Sequence, residues 1–177
     1  SKELKVDQFM DFTTLNKLAK NKGNVDSLIT LSTNNFKQMD EYLRTQNRGD
    51  LSVLILVGSW IEGLHMFTKI AKENPSEEIN KRIGEQKVII DNIYAILDKL
   101  DNVTYYKNFK TRLNSLKAVY ANVKIEYIYA APEMKEVNGQ LEVVDNSTSI
   151  VTITPADIQT IEKEIEKLRA SVFEIAQ

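Results

Sequence analysis

One segment constrains the fold more than any other, because residues 51–72 are strongly apolar and follow helical spacing. Its apolar residues recur at intervals of three and four, at Val53, Val57, Trp60, Leu64, Phe67 and Ala71. The flanks of this stripe are apolar as well, and a helix that is apolar on most of its circumference is usually central. We therefore expect 51–72 to be the core helix. Its longest unbroken apolar run, Val53 to Val57, is far shorter than the roughly 20 residues that cross a bilayer, which predicts no transmembrane segment.

Helix-breaking and helix-capping residues divide the rest of the chain. Pro75, Pro132 and Pro155 each lie where a helix is expected to begin or end. Gly49 has the position that typically follows a helix, and Asp50 and Ser76 are predicted N-caps. The predicted helices cover residues 4–20, 25–45, 51–72, 77–100 and 103–131, with a last one from Pro155 to near Ile175. This pattern predicts an all-α, up-and-down helical bundle of about six helices, forming a single domain over residues 1–177.

Two stretches fit the helical pattern less well. Residues 125–129 alternate like a strand as well as continuing the helical spacing, and we favour helix there. Residues 132–153 contain short β-branched runs and the turn dipeptide Asn138-Gly139, so we predict a long irregular connection that includes a small hairpin. Such a long connection is unusual in a compact domain.

The last helix begins with a recognisable signature, Thr154-Pro155-Ala156-Asp157, in which Thr154 is the N-cap, Pro155 the first helical residue and Asp157 an acid in the first turn. Its apolar stripe includes Ile158, Ile161, Ile165 and Leu168. The pairs Glu162–Glu166 and Lys163–Lys167 are interpreted as a solvated outer face.

Composition excludes several classes of protein. The sequence has no cysteine, so disulfides, thiolate metal sites and a cysteine nucleophile are impossible. A net charge of −2 gives no electrostatic footprint for nucleic acid. Because the chain begins at Ser1 rather than Met, we expect that an export segment or membrane tether has been lost from its N-terminus.

Three glycines lie inside predicted helices, where each lowers helix stability by about 1 kcal/mol relative to alanine. A compensating interaction is therefore expected at each of them. The short turn at Asn74-Pro75 makes the third and fourth helices antiparallel neighbours. That fold places Gly58 and Gly63 on the helix that faces Gly84. We predict that these glycines allow the two helices to approach closely; the alternative is that they face a bulky side chain such as Trp60.

Beside the glycines lie the polar residues of the candidate site: Glu62, His65, Arg82, Glu85 and Gln86. A buried carboxylate must be paired or protonated, and Arg82 or Lys87 is the expected partner of Glu62. The simplest interpretation is a satisfied polar network that fixes helix register. The alternative is a bundle that binds a small ligand or a metal around Glu62, His65 and Gln86.

The sequence does not match the complete motifs of known metal, phosphotransfer or hydrolase sites. Glu62-x-x-His65 matches the pair that di-iron bundles place on helices, but those sites need two such pairs and this sequence has a single histidine. Histidine phosphotransfer domains follow their histidine with a lysine and a glycine, whereas His65 is followed by Met66-Phe67-Thr68-Lys69. The sequence also contains no serine-hydrolase elbow, P-loop or dinucleotide fingerprint. We therefore expect no enzymatic activity, no cofactor and no resident metal.

The segments Gly58-Ser59-Trp60-Ile61-Glu62-Gly63-Leu64-His65 and Arg82-Ile83-Gly84-Glu85-Gln86-Lys87 resemble helical-bundle domains of bacterial cell-envelope proteins and lipoproteins. The last helix, from Thr154-Pro155 to Arg169, is similar to theirs. The resemblance implies export and an all-helical fold, and it implies no activity. We therefore expect a non-enzymatic, periplasmic or cell-envelope protein that acts as a structural or binding module, with a protein or small molecule as its partner.

Overall fold

The computed structural model describes residues 7–9, 13, 25–100, 102–137 and 140–175. Five α-helices lie in this part of the chain: α1 Val25–Thr45, α2 Gly49–Glu73, α3 Glu77–Asp98, α4 Thr104–Tyr120 and α5 Pro155–Ile175. Four strands separate the last two helices: β1 Lys124–Ile128, β2 Glu133–Val137, β3 Gln140–Val144 and β4 Thr148–Thr152. The prediction of a mostly helical fold is therefore confirmed, and five of the six predicted helices lie among the described residues. The fold is not all-α, because the described residues contain four strands where a single small hairpin was predicted. Most of the predicted helix 4–20 lies outside the described residues, which include a short 3-10 helix, Asp7–Phe9.

Tertiary contacts divide the chain into two compact units, Ser1–Val57 and Gly58–Gln177. The prediction of a single domain stays a prediction. In the first unit, Met39 and Leu43 are buried, and Phe9, Tyr42, Leu51 and Ile55 pack against them. The spacing of four residues between Met39 and Leu43 places both on one side of α1.

The end of α1 is closed by a left-handed residue, as is common in helices, but that residue is Asn47 (φ 56°) rather than Gly49. The Arg48 N–H donates to the Leu43 carbonyl at 2.7 Å, and the Asn47 N–H donates to the Arg44 carbonyl at 3.0 Å. Both bonds satisfy carbonyls that the helix end leaves free, in the Schellman arrangement. Because the turn is complete at Arg48, α2 begins at Gly49, and Asp50 lies in its first turn instead of capping it.

The core of the second unit consists of apolar stripes on three helices, of which the sequence predicts the one on α5. On α3 the buried stripe is Ile83, Ile90, Ile93 and Leu97, and on α5 it is Ile161, Ile165 and Leu168. On α4 it is Phe109, Leu113, Leu116 and Tyr120, continued by Val123 beyond the helix. Burying side chains of this size contributes about 1.5–3 kcal/mol each, and this apolar interior stabilises the unit.

The helix α2 buries a narrower face than its sequence suggests. Within the second unit its buried residues are Ile61, Leu64, Thr68 and Ala71, whereas Met66, Phe67 and Ile70 are exposed. The predicted stripe is confirmed at Leu64 and Ala71, but Phe67 is exposed and Thr68 is buried in its place.

Among the described residues α2 is the one helix that is long and apolar enough to cross a membrane, and 28% of its most apolar 18-residue window is buried. A core helix of a soluble protein can satisfy the same criteria, so this property by itself assigns no membrane span.

The four strands β1 to β4 form a hairpin-like ribbon. β1 pairs with β4, and β2 pairs with β3, both antiparallel. The favoured helix over 125–131 is therefore wrong: α4 ends at Tyr120, and residues 124–128 are strand β1. The predicted hairpin is confirmed by β2 and β3, whose pairing of Val137 with Gln140 leaves two residues between the strands. Those two, the turn dipeptide Asn138-Gly139, lie outside the described residues.

A serine links the two halves of this ribbon. The Ala130 N–H donates to Ser147 Oγ at 3.2 Å, and the Ser147 hydroxyl is 3.3 Å from the Ala130 carbonyl. The Ser147 N–H in turn donates to Asp145 at 2.8 Å. The Ser147 side chain first, and this backbone bond second, lower the pKa of the Asp145 carboxyl. These bonds satisfy backbone groups where the strand pairing is interrupted.

Candidate functional site

The predicted polar cluster does not form one network. Glu62 is half-buried and accepts a hydrogen bond from Arg169 Nε on α5 at 2.6 Å. The predicted partners of Glu62 are therefore wrong, because Arg82 pairs with Glu85 at 3.3 Å and Lys87 donates to the Val123 carbonyl.

Gln86 is held by a different neighbour. Its side-chain oxygen accepts from the indole N–H of Trp60 at 2.9 Å, and its side-chain nitrogen donates to the Arg82 carbonyl at 3.2 Å. Both ends of the amide are thus satisfied, as expected of a polar group at a partly buried helix contact. This bond joins α2 to α3 and explains why a polar residue lies at a partly buried position of α3.

His65 is half-buried on α2, where its carbonyl accepts a bond from the Thr68 hydroxyl at 2.8 Å. Within the described part of the chain, no three His, Asp or Glu side chains converge in an arrangement that could hold a metal. Since Glu62 and Gln86 already have Arg169 and Trp60 as partners, these observations do not favour a ligand held by Glu62, His65 and Gln86 together.

The three glycines have different environments. A Cβ added at Gly58 or Gly63 would meet no atom within 4 Å, so the predicted close helix approach is wrong at both. Gly84 is closely packed, but its neighbours are Val151 on β4, Val123 and Ile153. The missing side chain at Gly84 therefore allows the β1–β4 ribbon, rather than α2, to pack against α3.

A ladder of opposite charges joins α2 to α5. Glu62 pairs with Arg169, and Lys69 pairs with Glu166 and, at 3.3 Å, with Glu162. Lys72 reaches the same Oε1 atom of Glu162 at 3.1 Å. The charges on α2 lie at spacings of seven and three residues, which keeps them on one side of the helix.

Glu162 is the most buried member of this ladder, with 9% of the residue exposed. The interpretation of Glu162 as part of a solvated outer face is wrong; Lys163, Glu166 and Lys167 are exposed as predicted. One signal could have identified it: Glu162 lies four residues after Ile158 and three before Ile165, within the apolar stripe. Its lysine partners, 93 and 90 positions earlier in the chain, carry no such signal.

The Lys69 hydrogen bond is the main reason that the pKa of Glu166 lies below its usual value; desolvation opposes this, and His65 adds a smaller lowering effect. The same ammonium group has a raised pKa, chiefly because of its bond to Glu166. The charged forms of both partners are therefore favoured across the neutral pH range.

Beside Glu162 lies a cleft of about 450 Å³, formed by the end of α2, the turn to α3 and the first turns of α5. Its apolar wall consists of Ala71, Pro75, Pro155 and Ile158. Uncharged polar groups are contributed by Thr68, Asn80 and Gln159, and charged ones by Lys72, Glu162 and Lys163. An apolar wall with a few converging polar groups, at this volume, is the usual character of a small-molecule site.

A second distinct surface lies on the ribbon. Met134 and Val143 are paired across β2 and β3, and Leu141 lies two residues along the same face. All three are well exposed, at 61%, 67% and 70%. Near the base of this hairpin, Tyr127 and Tyr129 are exposed as well. The sequence pattern predicted the hairpin but gave no indication that one of its faces would be apolar and uncovered.

Comparison with known proteins supplies no assignment: no protein family matches the sequence, and no curated protein or solved structure is similar to it.

Proposed function

We propose that this chain is a non-enzymatic protein of the bacterial cell envelope that acts as a binding module, and that it docks a protein partner on its β2–β3 hairpin. Two features of the sequence support the first part: it contains no complete catalytic set, and it resembles envelope helical domains. One observation carries the second part, namely the exposed apolar face formed by Met134, Leu141 and Val143.

The hairpin is a weakly stabilised element unless something covers it. An isolated two-stranded hairpin is marginal in water, and stable sheets usually have three or more strands or a packed face. Large apolar side chains that lie together on a surface usually mark an interaction site. A partner on this face would bury the three side chains and could also pair with the free edge of either strand.

The charge of the hairpin indicates the chemistry of the partner. Residues 133–145 contain four acidic side chains and one lysine, Lys135. Glu136 is paired with Leu141 and lies on the apolar face itself. An anionic membrane surface would be repelled by these carboxylates, whereas a protein segment that combines apolar and basic residues would complement them.

Site-specific cross-linking tests this proposal. A photoreactive phenylalanine analogue replaces Leu141 in one variant and Asn108, an exposed residue of α4, in the matched control; both are expressed from the full-length gene in the native bacterium. We expect a protein adduct from position 141 that is absent from position 108, with the cross-link mapped to a basic, apolar segment of the partner. We also expect Val143→Glu to remove that adduct while leaving the circular dichroism spectrum unchanged.

Three results would overturn the docking proposal: adducts only to lipid, adducts only to a second copy of the chain, or the same adducts from both positions. Fractionation of the same cells tests the envelope assignment separately, since a protein found in the cytosolic fraction would contradict it whatever it binds.

A further inference from the structure

We propose that the cleft beside Glu162 is a second binding site, independent of the hairpin, and that it takes a small monocarboxylate with an apolar body. The cleft belongs entirely to α2, the α2–α3 turn, α3 and α5, and no ribbon residue lines it. Its volume of about 450 Å³ suits a ligand of roughly ten to twenty heavy atoms, within the usual range of small-molecule pockets.

The charge around the cleft is unbalanced by one positive charge. The cleft is lined by one carboxylate, that of Glu162, and by two ammonium groups, those of Lys72 and Lys163, while the ladder adds the pair Lys69 and Glu166. Lys69 and Lys72 are paired with the carboxylates, whereas Lys163 forms no ion pair with any residue that the structure describes. A ligand with a single negative charge beside Lys163 would therefore neutralise the site.

Glu162 adds a requirement for a hydrogen-bond donor. Both lysines bond to its Oε1 atom, so within the described part of the chain Oε2 has no donor of its own. A hydroxyl group next to the ligand carboxylate could donate to Oε2 while the carboxylate meets the lysines. A carboxylate oxygen that receives no donor from the described residues suits a ligand that can supply that bond.

The apolar wall of the cleft indicates that the rest of the ligand is apolar. Ala71, Pro75, Pro155 and Ile158 offer carbon surface without rotatable polar groups, which suits an aliphatic or aromatic body. Two of these residues are prolines, whose rings hold the wall in one shape and reduce the ordering cost of binding. The three requirements together define a hydroxycarboxylate with an apolar substituent.

Three probes of the same size separate these requirements: phenyllactate, hydrocinnamate, which lacks the hydroxyl, and hydrocinnamamide, which lacks the charge. Each is titrated into the isotope-labelled protein and followed by two-dimensional amide NMR. We expect phenyllactate to bind most tightly and hydrocinnamate more weakly, with shifts concentrated at Ala71, Gln159 and neighbouring residues. Hydrocinnamamide should give no saturable shifts there.

Variants locate the charge. Lys163→Gln removes an exposed ammonium group that forms no ion pair among the described residues, so the fold should be unaffected while affinity for phenyllactate falls by about fivefold. Lys107→Gln, at another exposed lysine outside the cleft, is the matched control and should bind as the wild type does. Glu162→Gln should reduce the preference for phenyllactate over hydrocinnamate, if its NMR spectrum remains that of a folded protein.

The proposal is overturned if neither carboxylate shifts the cleft resonances, if the neutral amide binds equally well, or if Lys163→Gln leaves the affinity unchanged.

Discussion

Gly84 offers the most decisive test of how the second unit is packed. A Cβ atom at this position would lie 2.4 Å from Val151 Cγ1, 3.4 Å from Val123 Cγ1 and 3.6 Å from Ile153 Cβ. Carbon atoms pack best at about 3.5–4.0 Å, so Gly84→Ala requires β4 or its side chain to move by roughly 1 Å. Valine is stiff at χ1 and cannot simply rotate away within a strand.

The magnitude follows from two opposing terms. Overpacking a well-filled site typically costs about 1–3 kcal/mol, and the stiffness of Val151 favours the upper half of that range. Alanine regains about 1 kcal/mol of helix propensity relative to glycine. We therefore expect Gly84→Ala to lower the free energy of unfolding by about 1–2 kcal/mol. Gly84→Leu should lower it further.

Gly63→Ala is a matched control because the substitution and the type of element are the same. Gly63 lies inside α2, and a Cβ there meets no atom within 4 Å. Only the propensity term remains, so this variant should be more stable than the wild type by up to about 1 kcal/mol. Denaturation by guanidinium chloride, followed by circular dichroism, would give the two midpoints, which should shift in opposite directions.

A second substitution identifies the contact. Val151→Ala removes the atom that lies closest to the new methyl group, so it should be less costly in the Gly84→Ala background than in the wild type. The coupling energy of that double-mutant cycle should exceed about 1 kcal/mol, as is common for residues in direct contact. Midpoints that move in the same direction for Gly84→Ala and Gly63→Ala, or a cycle with no coupling, would refute the packing of β4 on Gly84.

Two further predictions concern electrostatics. Burial, with a smaller effect from Asp98, raises the pKa of Tyr94 to about 12 from an ordinary value of 10.0. The Tyr94 hydroxyl therefore loses its proton at lower pH in the unfolded chain than in the folded one. The contribution of neutral Tyr94 to the free energy of unfolding is complete below pH 10 and is lost as the pH rises towards 12. Denaturation midpoints of the wild type should therefore fall above pH 10 more steeply than those of Tyr94→Phe, and equal slopes would contradict the assignment. In the ladder, Glu62→Arg should cost about 0.5–1 kcal/mol by opposing Arg169, and adding Arg169→Glu should recover most of that loss; a double variant no more stable than Glu62→Arg would mean that the pair does not interact.

The features that could be predicted from the sequence depend on neighbouring residues. Ser76 accepts a bond from the Ile79 N–H at 3.2 Å, as its position before α3 predicts. Thr154 and Asp157 exchange reciprocal side-chain to backbone bonds at the start of α5, at 3.0 and 3.1 Å. Such capping bonds form between residues three positions apart, so the local pattern contains all the information that they need.

The strand β1 shows where local information fails. Tyr120, Val123 and Tyr127 have the spacing of a helix, and that spacing favoured a continued helix through 131. The competing pattern is the alternation of residues 125–129, which is typical of a strand. That strand forms because it pairs with β4, where Val151 lies opposite Ile125. Strand stability comes largely from such cross-strand neighbours, which depend on context rather than on the segment itself.

The charge ladder explains why the sequence did not predict the cleft beside Glu162, and why that cleft lies at the end of α2. The sequence of each helix alone shows an ordinary set of surface charges. These charges form defined ion pairs only when α5 lies antiparallel to α2, with Arg169 beside Glu62 and Glu162 beside Lys72. The ladder ends at Lys72, because α2 stops at Glu73 and the chain turns at Pro75. Beyond that point α2 no longer runs beside the first turns of α5, and the cleft lies where the ladder ends. Glu162, the last carboxylate of the ladder, has its Oε1 atom bonded to two lysines, and its Oε2 atom is the one proposed to bind the ligand. The same side chain thus orients two helices and supplies the polar group of the proposed binding site.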